Sequence, residues 1–135
     1  MSPSLRFVVG LMVMGVAAAP VSFVVMHWQA NAQARIAAEQ LTGGHVKRGA
    51  LVIGAYGCGS CHVIPGISAA SGKVGPPLTG MAVRAEIAGK LANSPEAMIQ
   101  WLRFPQTVVP GNGMPNQGLT EQQARDAAAY LYTLK

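Results

Sequence analysis

Two cysteines three positions apart, Cys58 and Cys61, with His62 directly after the second, restrict this chain more than any other feature. No further cysteine occurs among its 135 residues. Whatever the fold, it must put two thiols and an imidazole on one short piece of backbone, GCGSCHVIPG. Residues 57 to 80 around them are rich in Gly, Pro and Ser and read as loop.

Helical signals lie on both sides. VKRGALVIGAYG has an apolar face and predicts a helix of about three turns. In SPEAMIQWLRF, Ser94 suits an N-cap, Pro95 the first helical position and Glu96 the positive end of the helix dipole. Pro105 forbids continuation. PQTVVPGNGMPNQG is a second irregular loop. Thr120 and Gln123 then form a capping-box pair, and Ala124, Ala127, Ala128 and Leu131 share one face of the helix that follows. Val83 to Ala92 reads as short and weakly helical, and no strand pattern is evident. A domain of about ninety residues with such small helical faces and long loops is underfilled unless something else occupies its centre.

Ahead of this domain, Phe7 to Met26 carries no charge. Twenty residues at 1.5 Å each span roughly 30 Å, the thickness of the hydrocarbon layer. Trp28 follows at the far edge, where an indole ring is favoured. The run is longer than an ordinary signal h-region, which favours a retained anchor over residues 1–28, although ANAQA (residues 30–34) has the small residues of a cleavage site. Residues 29–44 are rich in helix formers and predict a stalk ending at Gly43-Gly44. The globular domain is expected over 45–135.

Half of the chain is hydrophobic and 11% is charged. Beyond the apolar run there are nine Lys or Arg and five acids, a balance of +4. The basic residues are scattered and do not interleave with aromatics, which disfavours nucleic-acid binding. An acidic protein partner or an anionic membrane surface suits them better, and so does a plainly solvated basic face.

Several chemistries use a Cys-x-x-Cys pair. Zinc needs four ligands, and the other histidines are only His27 and His45. A thioredoxin-like pair needs a βαβ context that is missing here. A structural disulfide is possible outside the cytoplasm. Cys-x-x-Cys-His, however, signals covalent attachment of a c-type haem. Two thiols add to the two haem vinyl groups as thioethers, the two-residue gap lets one turn reach both, and the adjacent histidine is aimed at the iron. A buried haem would also fill the centre of the domain.

A distal ligand would complete such a site. Among the seven methionines, Met81, Met98 and Met114 lie outside the N-terminal segment. Met98 sits in a helix and suits core filling. Met81 follows GPPLTG. Met114 lies in a Gly/Pro loop with no helical face to bury, and is the preferred ligand. A thioether is soft and neutral and raises the reduction potential.

Residues 46 to 135 resemble the class I c-type cytochromes. CGSCH matches the haem-binding motif of that family, GPPLTG its Gly-Pro-x-Leu loop, and GMPNQGLTEQQARDAAAYLYTL its ligand loop and C-terminal helix. The resemblance implies an all-α fold, with an N-terminal transmembrane helix and stalk before a cytochrome c-like domain of short helices and loops around one covalent haem c. It implies Cys58 and Cys61 as attachment points and His62 as proximal ligand. The Pro76 carbonyl would orient His62, Leu78 would pack on the haem, and Met114 would be the distal ligand. Tyr130-Leu131 would meet the first helix. Arg84 and Trp101 fall where the family often has propionate partners; a solvated arginine and a core indole are the alternatives. One departure is that Gly49 and Ile53 lie one residue earlier than the family's Gly and aromatic, where this chain has Ala50 and Gly54. That implies a shifted or looser helix crossing.

The function expected is therefore transfer of single electrons, not catalysis. A membrane-anchored carrier, or an electron-input subunit of a complex such as a terminal oxidase, would take electrons from a quinol–cytochrome c reductase or dehydrogenase. It would pass them to a haem–copper oxidase or similar acceptor. Glycines and alanines in the apolar segment would let its helix pack closely in such a complex. The expected place is the bacterial cytoplasmic membrane, crossed once, with the haem domain on the periplasmic side. A haem enzyme or gas sensor with an open distal position is the alternative.

Overall fold

A computed structural model describes residues 2 to 135, which divide into two compact units, one ending at Gln33 and one over Ala34–Lys135. The first unit is the apolar part of helix α1 (Pro3–Thr42). Its apolar stretch is exposed throughout, and the helix is long and apolar enough to cross a membrane. It is one long apolar N-terminal helix, of the kind that serves as an anchor or as a signal sequence. Pro20 lies inside it, and the Ser22 hydroxyl donates to Ala18 O at 3.0 Å.

The second unit begins within the last turns of α1. There Ala38 packs against Val46 and Ala129, and Thr42 is 1% exposed. The helix stops at Gly43, whose φ of +66° is the left-handed conformation that glycine adopts at little cost. Gly44 then passes so close to the Arg125 backbone that no Cβ would fit.

Helix α2 (Val46–Ala55) crosses helix α5 (Glu121–Leu131), and the apolar periodicity of each supplies the contact. On α5 the expected face is buried: Ala124, Ala127, Ala128 and Leu131 are each no more than 3% exposed. The capping box at Thr120 and Gln123 is formed. On α2 the buried positions include Gly49 and Ile53, not Ala50 and Gly54, and the crossing is tight. A Cβ on Gly49 would overlap the Asp126 carbonyl and lie 2.9 Å from Tyr130 Cβ.

Asp126, 3% exposed, anchors this crossing. It accepts from His45 N (2.8 Å), from Arg48 through Nε (2.8 Å) and Nη2 (3.1 Å), and from Gln122 Nε2 (3.1 Å). Burial works against its charge, but the Arg48, His45 and Gln122 bonds outweigh it and hold the carboxyl below the usual aspartate range.

Helix α3 (Pro95–Arg103) is capped by Ser94, whose hydroxyl accepts from Ala97 N at 3.2 Å. It buries Met98, Ile99 and Leu102. Pro105 does end α3, and it opens a further short helix, α4 (Pro105–Val108).

The segment read as a weak helix, Val83 to Ala92, is instead a small hairpin, and two short strands exist where none was expected. Strands β1 (Glu86–Ile87) and β2 (Leu91–Ala92) pair antiparallel, with Ile87 opposite Leu91. Ala88, Gly89 and Lys90 connect them: Lys90 N donates to Ile87 O at 3.0 Å, and the two central residues of that turn, Ala88 (φ 54°) and Gly89 (φ 65°), are both left-handed as in a type I′ turn. The i, i+4 spacing of Ile87 and Leu91 suits one face of a helix, and here it is the spacing of cross-strand neighbours around the turn. Asn93 secures the hairpin base by donating to Met81 O (2.8 Å) and Arg84 O (2.9 Å).

Candidate functional site

The Cys-x-x-Cys-His segment forms a single 3₁₀ turn over Cys58–Ser60, entered through Gly57 at φ +66°. In 3₁₀ geometry residues i and i+3 eclipse, so both cysteines project from one side. His62 N and Cys61 N both donate to Cys58 O, at 3.0 and 3.3 Å. The cysteines are free thiols and form no disulfide with each other. Burial pushes the Cys58 thiol up, with the backbone of its own turn opposing and Cys61 adding.

The loop after the turn is folded back over it by backbone bonds. Gly72 N donates to Gly59 O (2.9 Å), Gly75 N to Cys61 O (2.8 Å) and Leu78 N to Val63 O (2.8 Å). Val63 and Ser71 form an isolated bridge. Gly75 lies flat on the His62 ring, where a Cβ would overlap the imidazole. His62 Nδ1 is 2.7 Å from Pro76 O. A carbonyl can only accept, so Nδ1 carries the proton and Nε2 keeps its lone pair.

Arg84 braces the same loop by donating to Pro77 O and, at 2.9 Å, to Thr79 O. It is more than a solvated arginine. Asn93 holds the Arg84 carbonyl and is itself the acceptor of Tyr132 Oη–H at 2.7 Å. Burial, with Glu96 adding, pushes the Tyr132 phenol up to about 12.

All eight residues expected at the site, Cys58, Cys61, His62, Pro76, Leu78, Arg84, Trp101 and Met114, line one cavity of about 490 Å³. Most of the remaining wall is apolar, with Ile53, Ile64, Ile87, Leu102 and Leu131 among it, and its only charged side chains are Arg84 and Glu86. Met81 and Met98 also reach it, but at 4% and 1% exposed they belong to the packed core. Met114 is half-buried on a loop.

Sequence reasoning missed what holds that loop. Gln106, on α4, and Asn112 bind its backbone through their amides. The signal was there as two amides, Gln106 ahead of PGNGMP and Asn112 within it, but in a loop such residues read simply as polar.

The residues present fit a covalent haem on their own chemistry. Two unpaired thiols share one side of a turn, the adjacent imidazole has its Nδ1 proton engaged, and a thioether lies in the same wall. The cavity is mostly apolar and within the ~300–1,000 Å³ usual for cofactor pockets. A helical domain with these features defines the class of proteins that attach haem through cysteine.

The chain belongs to the cytochrome c family, whose family model, "Cytochrome c", matches residues 46–135. Among curated proteins it is similar to cytochrome c oxidase subunit 2 of Alkalihalophilus pseudofirmus (strain ATCC BAA-2126 / JCM 17055 / OF4). The two are 37% identical over 79 residues, covering 58% of this chain and 22% of the relative. It is also similar to cytochrome c oxidase subunit 2 of Bacillus sp. (strain PS3), at 35% over 82 residues, 58% of this chain and 23% of the relative. The matched segment thus spans less than a quarter of either relative. No solved structure matches the chain. The family implies covalent haem c, for which Cys58 and Cys61 are present, and electron transfer.

Proposed function

We propose that this chain is a membrane-anchored monohaem cytochrome that carries single electrons to a membrane complex, with a haem–copper oxidase as acceptor. One observation carries the reading: His62 and Met114 line the same apolar cavity as the two attachment cysteines. His62 through its imidazole and Met114 through its thioether would both hold the iron of such a group, leaving no open site for a substrate.

When bound, the haem supplies an iron that alternates between ferric and ferrous states. The residues would do the rest. Cys58 and Cys61 hold the group. Pro76 O keeps the proton on Nδ1 of His62 and fixes the ring, leaving Nε2 as the donor. Met114 favours the reduced state, and the apolar wall excludes water. Arg84 would face a propionate while its guanidinium stays tied to the Pro77 and Thr79 carbonyls. Trp101 is the second propionate candidate in the wall.

Residues 1–28 are read as the anchor, with the haem domain on the periplasmic side of a bacterial cytoplasmic membrane. Anchoring would confine the carrier to the membrane plane and raise its effective concentration near partners there. The oxidase assignment is supported by relatives named as oxidase subunits. The donor would be a quinol–cytochrome c reductase or a dehydrogenase.

Visible spectroscopy on the haem-loaded protein tests the reading. A low-spin spectrum with the weak sulfur-to-iron band when oxidised, and no ready carbon monoxide binding when reduced, is expected. A high-spin protein that binds carbon monoxide would overturn it.

A further inference from the structure

The loop between α4 and α5 carries Met114 on twelve residues with little regular structure, Val109 to Thr120. It includes Gly111 at φ +77° and Gly118 at φ +70°. A loop of this kind would normally sample many conformations, yet from Val109 to Met114 its backbone is bound at five atoms by two side chains. Gln106 Nε2 donates to Asn112 O (2.8 Å) and Met114 O (2.7 Å), while its Oε1 accepts from Gly111 N (3.1 Å). Asn112 Nδ2 donates to Pro105 O (2.9 Å) and Val109 O (2.6 Å), and its Oδ1 accepts from Met114 N (2.7 Å). Each amide thus uses both of its donors and its acceptor. Met114 is gripped at its own N–H and its own C=O, one by each amide. Both partners are only half-buried, and Asn112 also lines the cavity.

We propose that Gln106 and Asn112 are positioning residues for Met114, a two-amide clamp that fixes the backbone on both sides of the distal thioether and so sets how firmly it resists displacement. The proposal rests on the reading of Met114 as distal ligand. An outside ligand competes for the metal only in the fraction of molecules whose loop has opened. Its apparent affinity therefore reports the loop equilibrium directly. The clamp acts on that equilibrium and not on haem attachment, which belongs to Cys58 and Cys61.

The experiment is titration of oxidised, haem-loaded, full-length protein in detergent with imidazole, alongside the pH at which the sulfur-to-iron band disappears. Gln106→Leu removes three bonds at similar volume. It is expected to raise imidazole affinity about tenfold, the change given by ~1.4 kcal/mol of loop stability, and to move loss of the band to lower pH. Asn112→Ala should do the same, while Asn112→Asp, which keeps the acceptor for Met114 N, should fall between it and the parent. If Gln106→Leu does not fold, the Asn112 pair carries the test. Unchanged imidazole affinity in the folded variants, even with lower thermal stability, would overturn the clamp and leave the ligand assignment standing. A Met114→Ala protein that keeps the sulfur band would instead overturn the ligand assignment, and the clamp with it.

Discussion

The two loops that close the cavity are held in different ways. The His62 side is fixed by backbone: Gly72 N, Gly75 N and Leu78 N bond to carbonyls of the cysteine turn and the residues after it, and Pro76 O meets the imidazole. The Met114 side is fixed by side chains, the amides of Gln106 and Asn112. Backbone bonds of the first kind tolerate many sequences, provided glycine stands where chains touch. Side-chain bonds of the second kind can be retuned by single substitutions without disturbing attachment. The His62 half thus depends on backbone contacts and the Met114 half on replaceable side chains.

The sharpest way to break this contrast is Gly75→Ala. The added methyl has no space against His62, so the ring must move or the loop must open. A loss of about 3 kcal/mol or more in unfolding free energy is expected. Measured by denaturant titration, it should come with a perturbed proximal ligand in the oxidised spectrum. A protein as stable as the parent would mean that this loop is as adaptable as the distal one.

Asp126→Asn probes the support beneath both loops, the α2–α5 crossing. It should cost about 2 kcal/mol, because Arg48 and the His45 N–H lose a charged acceptor. The pH dependence has a definite sign. The Asp126 carboxyl titrates lower in the folded protein than in the unfolded chain. Its stabilisation is complete above the unfolded value, about 4, and is lost as pH falls through the folded value. The parent should therefore lose stability faster than Asp126→Asn on the acid side in pH-dependent thermal melts.

Met114→Ala comes next in effect on stability, about 1–2 kcal/mol for a half-buried thioether, but with the larger change in chemistry. The midpoint potential should fall in a redox titration, and the reduced protein should bind carbon monoxide while the haem remains attached. An unchanged spectrum would move the ligand to Met81. Arg84→Gln is the smallest perturbation, about 1 kcal/mol, because backbone bonds still hold the loop that Arg84 braces. A drop in stability as large as that of Gly75→Ala would mean that the proximal side also depends on a side chain.

What could be read in advance followed from how local each cause is. Ser94 and the Thr120–Gln123 pair cap helices through atoms three residues away, so they were legible. The alanine face of α5 follows from periodicity alone. The attachment turn was legible because its chemistry requires one spacing. The hairpin at Glu86–Ala92 was not, since its turn puts Ala88 at positive φ, which alanine rarely adopts and which no Asn-Gly or Asp-Gly pair announced. The position of the helix crossing was not legible either, because Gly49 is chosen by the Asp126 carbonyl on another helix. The amide clamp joins residues six and eight apart across a loop, and no periodicity marks such a pair.

The packing of Ala38 and Thr42 bears on how such a module could be moved between proteins. The family match begins at residue 46, but the compact unit begins at Ala34. Arg125 reaches back to Thr42 O at 3.0 Å, and Ala38 covers Ala129 and Val46. A gene fusion joined at the family boundary would uncover a fully buried alanine and strand the Arg125 bond to Thr42. The host chain would then have to provide a helical turn of its own in that place. In this protein the segment that the family pattern covers is shorter than the segment that folds.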